Sequence, residues 1–199
     1  VPAMTQTQPA FLIRDLPVNG DLILSPMDGI SDAPFRFLAR SLGSALSYTE
    51  FMNAIDIMNG YPYLEEHLFF AEEERPVVYQ VFDDDPERLV KAVHRLLHWQ
   101  PDIIDVNMGC SARCVSGRGA GAGLLRTPEK IARIFSTLTR EVKIPITGKI
   151  RLGWDDDTYR AWLEKHTGKR SAKDCNDSEL SLLADALRDL GALEQQPAA

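Results

Sequence analysis

The residues with the most evident chemistry lie in Asp102–Leu125, where an amide, Asn107, and a thiol, Cys110, enter a glycine-rich loop. Positions 102–107 contain three β-branched residues, Ile103, Ile104 and Val106, which predicts a short buried strand before the loop. In α/β folds the reacting groups gather at the carboxyl ends of parallel strands. Cys110 is therefore a candidate reacting group, although a cysteine is more often an inert small hydrophobic residue.

Two further predicted strands, Pro76–Phe82 and Ile144–Leu152, also carry polar side chains near their ends. Side chains alternate across a strand, so the face of each residue can be counted. We expect Gln80, Asn107 and Lys149 to meet near three successive strand ends, as at the mouth of a barrel. The alternative is that these residues merely face water. The residues that share this face are Val78, Gln80, Phe82, Ile103, Asp105, Asn107, Thr147, Lys149 and Arg151.

Three other motif interpretations are not supported by the sequence around them. Gly117, Gly119 and Ala122 match a relaxed dinucleotide fingerprint, but the preceding strand ends ten residues earlier, near Asn107. A radical iron–sulfur motif would need a third cysteine soon after Cys110 and Cys114. A zinc site lacks support because no histidine pairs with the cysteines along the chain; the nearest candidates are His94, His98 and His166.

The elements that must position these residues alternate between strand and helix. Five strands are predicted, each followed by a helical stretch, and this order indicates βα units around a parallel sheet. The connection Tyr61–Arg75 contains three consecutive glutamates, which we expect to be too acidic for burial. The predicted strands are Asp21–Ser25, Ala45–Thr49, Pro76–Phe82, Asp102–Asn107 and Ile144–Leu152, and the helices begin near Pro34, Asn53, Pro86, Pro128 and Asp177.

Composition narrows the class of protein. With 199 residues, 44% hydrophobic and 26% charged, the chain fits one globular domain or a large part of one. No apolar run is long enough to span a bilayer, the first ten residues do not resemble a secretory signal, and three cysteines make no disulfide framework. We therefore expect a cytoplasmic protein. The net charge of -7 argues against nonspecific nucleic-acid binding by the whole surface but allows a local basic patch.

Several motifs, spread in order over residues 22–154, resemble the tRNA-dihydrouridine synthases, flavoenzymes with a TIM-barrel catalytic domain. Together they are far more specific than any one of them alone. They are Leu24–Gly29, Ser31–Arg36, Tyr48–Met52, Val78–Phe82, Asp105–Cys110, Val115, Gly119, Gly121, Leu124–Leu125 and Lys149–Trp154.

The resemblance implies a set of roles. Flavin mononucleotide (FMN) would lie at the barrel mouth, with NADPH as its reductant and a uridine in tRNA as substrate. Cys110 would be the general acid that protonates the base, which must leave its stack to be reached from both faces. Ser25, Pro26 and Met27 would line the flavin ring, and Gln80 and Lys149 would bind its polar edge. Asn107 and Arg151 would face the substrate; no metal and no membrane partner are implied.

Three departures accompany the resemblance. The family usually has proline after its catalytic cysteine, where this chain has Ser111. Residues 155–175 form a longer polar segment than we expect, and a barrel of eight βα units takes about 250 residues. The sequence predicts an α/β fold of the TIM (β/α)8-barrel type, truncated after about five βα units. The predicted division is a flexible leader at 1–20, a partial barrel at 21–193 with a polar insertion at 155–175, and a tail at 194–199.

We therefore expect an FMN-dependent tRNA-dihydrouridine synthase fragment that uses NAD(P)H. Two alternatives remain at this point. One is another TIM-barrel flavin oxidoreductase with a small substrate, of the dihydroorotate or dihydropyrimidine dehydrogenase type. The other is an inactive remnant that keeps only a binding role.

Overall fold

The computed structural model describes residues 9–171, 174–176 and 178. The chain divides into two compact units, Val1–Ile150 and Arg151–Ala199. Within the described residues, no helix has the length and apolar character needed to cross a membrane.

The first unit contains seven strands and six helices within its described residues. The strands are β1 (Phe11–Ile13), β2 (Leu16–Val18), β3 (Ser47–Tyr48), β4 (Met52–Asn53), β5 (Val77–Phe82), β6 (Ile103–Met108) and β7 (Ile146–Ile150). The helices are α1 (Ala33–Ser41), α2 (Ala54–Asn59), α3 (Leu64–Leu68), α4 (Pro86–Leu96), α5 (Arg113–Ser116) and α6 (Pro128–Glu141). Short 3-10 turns lie at Glu72–Glu74, Leu97–Trp99 and Gly121–Arg126.

A parallel sheet forms the centre of this unit. Strands β3 and β4 both pair with β5, which pairs with β6, which pairs with β7. The register sets Gln80 beside Asp105, Asp105 beside Thr147, and Asn107 beside Lys149. The predicted α/β class with a parallel sheet is confirmed, whereas closure into an eight-stranded barrel and the number of βα units stay predictions.

Helices cover one face of the sheet, and α4 begins as its sequence predicts. The Asp85 side chain accepts a hydrogen bond from the Arg88 backbone N at 2.8 Å, and Pro86 opens the helix. The helix then buries one stripe against the sheet, where each leucine or valine contributes about 1.5–3 kcal/mol. That stripe is Leu89, Ala92, Val93 and Leu96, and it meets Val77, Tyr79, Val81, Ile104, Val106 and Met108 in one core.

An antiparallel hairpin, β1 with β2, packs on the opposite face of the sheet. Its Val18 is fully buried in one cluster with Val78 and Ile103, near the amino ends of β5 and β6. The hairpin lies within the segment 1–20 that was predicted as a flexible leader, and its two strands give residues 11–18 regular structure. The apolar cluster fills the amino end of this face, which leaves the polar side chains at the carboxyl end.

The stretch Asp21–Ser25, predicted as the first strand, forms no regular strand. It does lie beside the chain before β3, because the Ala45 N donates to the Leu22 carbonyl at 2.8 Å. The next bond, however, joins the Leu24 N to the Ser44 hydroxyl at 3.1 Å. A side chain stands where a strand ladder needs a backbone carbonyl, so the ladder does not continue.

The acidic connection Tyr61–Arg75 was expected to be exposed, and this expectation is wrong for Glu74. Its side chain is only 1% exposed, and its Oε2 lies 3.0 Å from the Nε of Arg36, which is itself 2% exposed. The Arg36 Nη1 also donates to the Ser31 carbonyl at 3.0 Å, and the Glu74 Oε1 accepts from the Ala71 N at 2.9 Å. Burial is possible because each charge meets an opposite charge and further hydrogen-bonding groups.

The second unit begins with α7 (Asp156–Thr167), inside the segment predicted as a polar insertion. Asp155 caps this helix, because its Oδ1 accepts from the Thr158 N at 2.8 Å, and Gly168 ends it in the left-handed region. The last predicted helix, Asp177–Leu190, and the tail lie outside the described residues apart from single positions.

Candidate functional site

A buried carboxylate, Asp105 of β6, lies at the centre of the polar face. Its side chain accepts hydrogen bonds from Gln80 Nε2 at 2.7 Å and from Thr147 Oγ1 at 2.6 Å, on the two neighbouring strands. Asp105 is 1% exposed, and burial raises its pKa even though the two hydrogen bonds and the nearby charge of Lys149 act in the opposite direction. The carboxyl group thus ties three strands together.

The amide of Asn107 continues this network to the cysteine loop. Its Nδ2 donates to Gln80 Oε1 at 2.9 Å, so both ends of the Gln80 amide are bonded. The Oδ1 of Asn107 accepts from the backbone N of Gly109 at 3.1 Å and of Cys110 at 2.9 Å. An unbroken chain of hydrogen bonds therefore runs from Asp105 through Gln80 and Asn107 to the backbone of Cys110.

The loop carries the Cys110 thiol in a half-buried position next to apolar side chains. Gly121 makes this packing possible: its φ is +54°, and a Cβ there would lie 2.7 Å from the Cys110 carbonyl oxygen. The Ala122 N donates to that same carbonyl at 2.9 Å. Cys114, by contrast, is exposed. Because Gly121 has no Cβ, the 3-10 turn can lie against the strand end next to Cys110.

The other predicted site residues lie in different parts of the structure. Lys149 is exposed on β7, in register with Asn107 and close enough to Asp105 to affect its pKa. Met27 lies in a turn where its backbone N and O both bond the Ser31 hydroxyl at 2.9 Å. Ser25 is exposed and Pro26 half-buried in that segment, and within the described residues no hydrogen bond joins these three to the Asp105 network. Arg151 is exposed and belongs to the second unit.

Sequence analysis missed a second buried carboxylate, Asp83, directly after β5. Its Oδ1 accepts from Arg88 Nη2 at 2.6 Å and from the backbone N of Asp84 and Asp85. Burial alone would raise the Asp83 pKa, but these bonds outweigh it and lower the pKa. The Nη2 of Arg118, on the cysteine loop, lies 3.8 Å from Asp83 Oδ2. The triple aspartate in the sequence was a visible signal for this contact.

A cavity of about 400 Å³ lies next to the cysteine loop. Its wall includes Cys114 and Val115, but none of Ser25, Pro26, Met27, Gln80 and Lys149 lines it. The wall is therefore made of side chains other than those predicted to hold a flavin, although it includes Asp28, which directly follows Met27. Among the described residues, no group of three or more His, Cys, Asp or Glu side chains is arranged to hold a metal ion.

The structure is that of an α/β protein with a parallel sheet. A thiol loop and hydrogen-bonded amides lie at the ends of its strands. Comparison with known families agrees, since the family model Dihydrouridine synthase (Dus) matches residues 23–166. The chain belongs to the dihydrouridine synthase family. A second model, Bacteriophage Mu, GemA protein, matches residues 154–199, which begins where the polar segment departs from the expected pattern.

Curated relatives agree with the family match. The chain is 34% identical over 161 residues to tRNA-dihydrouridine synthase B of Xanthomonas campestris, covering 81% of this chain and 47% of the relative. It is 38% identical to the synthase B of Pseudomonas aeruginosa over 68% of this chain and 41% of the relative. A probable tRNA-dihydrouridine synthase of Aquifex aeolicus is 35% identical over 74% of this chain and 48% of its own length. The chain thus spans about half the length of the curated relatives it matches.

Proposed function

We propose that this chain carries the flavin-binding and catalytic part of a tRNA-dihydrouridine synthase, a cytoplasmic enzyme that reduces uridine in tRNA to 5,6-dihydrouridine. The observation that carries the proposal is the hydrogen-bonded chain from Asp105 to Cys110, because it fixes a thiol at the strand ends of a protein in this family.

Cys110 would supply the proton. Saturating the uracil C5=C6 bond requires a hydride at C6 and a proton at C5, and a positioned thiol donates the proton while its sulfur becomes a thiolate. A proton taken up from the solvent then restores the thiol. The bond from the Cys110 N to Asn107 Oδ1 holds the backbone of the donor at the strand end.

The residues at the strand ends suit FMN by their chemistry. Bound FMN, reduced by NADPH, would supply the hydride. Lys149 would set its ammonium near the ring, where a cation stabilises negative charge, and its exposure on the polar face leaves it available. Ser25, Pro26 and Met27 would line the ring. Gln80 is fully buried and bonded at both ends of its amide, so its contact with the ring would use its second Nε2 hydrogen.

The RNA side of the proposal rests on two residues. Asn107 would face the flipped uracil, and Arg151 would contact the RNA chain or base with its exposed guanidinium. Because the net charge is -7, docking of tRNA would depend on local basic groups such as Arg151 instead of the whole surface.

Reconstitution tests the proposal directly. The purified chain is titrated with FMN, followed by the quenching of flavin fluorescence, and then incubated with NADPH and an unmodified tRNA transcript. Mass spectrometry of the digested RNA should find uridines that have gained two hydrogens. Flavin binding without this gain would contradict the catalytic role, and absence of flavin binding would contradict the cofactor assignment as well.

A further inference from the structure

The cavity of about 400 Å³ has no part in the proposed chemistry, yet it lies next to the cysteine loop. The last residues of β4 and β5, Asn53 and Phe82, both line it, so it opens at the same strand ends as the Asp105 network. Its size falls within the range of about 300–1,000 Å³ that is typical of small-ligand pockets.

Aromatic rings form much of the wall. Phe51 and Phe82 meet edge to face with centroids 5.2 Å apart, and the Arg118 guanidinium lies 5.8 Å from the Phe82 ring. Tyr61, 44% exposed, stands at the rim and contacts the His67 ring. Aromatic and guanidinium faces of this kind are the surfaces on which unstacked nucleic-acid bases stack.

The free charges in the cavity are acidic. Within the described part of the chain, the carboxylates of Asp28 and Asp56 make no hydrogen bond or ion pair. The two basic side chains already have acidic neighbours: Arg118 lies 3.8 Å from Asp83, and His67 Nδ1 lies 3.4 Å from Glu50. The cavity therefore offers hydrogen-bond acceptors and disfavours phosphate.

The unpaired carboxylates of the cavity favour some of the molecules that take part in the proposed reaction over others. A pyrophosphate-linked cofactor such as NADPH would bring negative charge towards two unpaired carboxylates. A base with an exocyclic amino group brings donors, and a carboxylate accepts well from them. Guanine is the best match, since its N1–H and N2 amino group are adjacent and can meet both oxygens of one carboxylate.

We infer that the cavity binds a base with an exocyclic amino group, guanine above all, from the RNA that carries the target uridine. The inference rests on the proposed function for the source of the base. Phe51 and Tyr61 supply the stacking surface, and the exposed carboxylate of Asp56 reads the amino group. The cavity would thus select the sequence around the uridine while Cys110 acts on the uridine itself.

Nucleoside binding to the intact chain without flavin tests the inference. Guanosine and inosine differ only by the exocyclic amino group, and NMR of the His67 and Tyr61 rings reports occupancy. Guanosine should bind at least about tenfold more tightly than inosine, as one hydrogen bond to a charged group implies. Asp56→Asn should abolish that ratio, whereas Glu65→Gln, an exposed carboxylate of α3 outside the cavity, should leave it unchanged.

Equal binding of guanosine and inosine by the unaltered chain would overturn the inference, as would an unchanged ratio in Asp56→Asn. Displacement of guanosine by equimolar NADPH would also overturn it, because the cavity would then belong to the reductant. Dihydrouridine formation is measured separately, so a chain that reads guanosine but reduces no uridine would refute the proposed function and leave this site standing.

Discussion

The side-chain oxygen of Asn107 accepts a hydrogen bond from the backbone N of Cys110 at 2.9 Å. One amide thus joins the end of a buried strand to the first turn of the loop that carries the thiol. The same oxygen accepts from Gly109, so two consecutive backbone groups depend on a single side chain. The backbone position of Cys110 therefore depends on a side chain of the sheet as well as on the loop itself.

Removal of this amide should loosen the loop. Asn107→Ala leaves the N–H groups of Gly109 and Cys110 and the Gln80 carbonyl without their partner, so the free energy of unfolding should fall by about 1–3 kcal/mol. Hydrogen exchange should accelerate at Gly109 and Cys110. The matched control Asn59→Ala, at the exposed end of α2, should change stability by less than about 0.5 kcal/mol. Slow exchange at Cys110 in Asn107→Ala would show that the loop holds itself.

Asp105 should make stability depend on pH in an unusual direction. Its raised pKa means that the folded state keeps a proton that the unfolded state releases above about pH 3.9. The stability it contributes is therefore complete at low pH and lost as the pH rises through the raised pKa. Denaturant titrations of Asp105→Asn and the unaltered chain should show their difference growing in favour of Asn from acid to neutral pH. A constant difference would mean that Asp105 titrates normally.

Asp83 should show the opposite dependence. Its lowered pKa gives stability that is present above about pH 3.9 and lost as the pH falls through the lowered value. Asp83→Asn should cost roughly 1–3 kcal/mol at neutral pH, towards the low end because Arg88 is 36% exposed. That cost should shrink in acid. Glu87→Gln, an exposed carboxylate in the first turn of α4, is the control, and an equal cost there would argue against the Asp83 pair.

The two cysteines of the loop should differ in catalysis. In the FMN-loaded chain, Cys110→Ala should leave flavin reduction by NADPH nearly intact and slow uridine reduction by roughly 10²–10⁴-fold. Cys114→Ala, which removes an exposed thiol, should have a far smaller effect. Single-turnover kinetics separates the two half-reactions. Similar losses in both variants would favour a structural role for the pair.

The buried ion pair of Arg36 and Glu74 should behave as a unit. Either Arg36→Met or Glu74→Leu leaves an uncompensated buried charge, so each should cost about 3–5 kcal/mol. The double variant should cost much less than the sum, and a double-mutant cycle on the free energy of unfolding measures the coupling. Additive costs would mean that the two charges do not depend on each other.

Strand alternation was enough to predict the polar face. The period of two placed Gln80, Asn107 and Lys149 on one face, and a hydrogen bond joins Gln80 to Asn107. Lys149 lies in register with Asn107 but is exposed. The predicted start of a helix near Pro86 is likewise confirmed by α4. Such features depend on neighbours within a few residues, which a sequence displays directly. The catalytic and binding roles of these residues stay predictions.

Other features depend on partners far along the chain. Burial of Glu74 was not predictable from three consecutive glutamates, because its partner Arg36 lies 38 positions earlier. The hairpin β1–β2 was missed for a local reason. Its turn contains Arg14 with a φ of +55° instead of a glycine or asparagine, and Pro17 stands within its second strand. Neither residue is a usual hairpin signal.

The Arg36–Glu74 pair also restricts how this protein can change over generations. Because each charge makes the other tolerable, a substitution at one position is harmful until the other changes too. Descendants should therefore keep both residues or replace both, with few intermediates between. A lineage that has replaced the pair with two apolar side chains would also have to pass through an unstable single variant to regain it. The state of this pair should therefore change rarely.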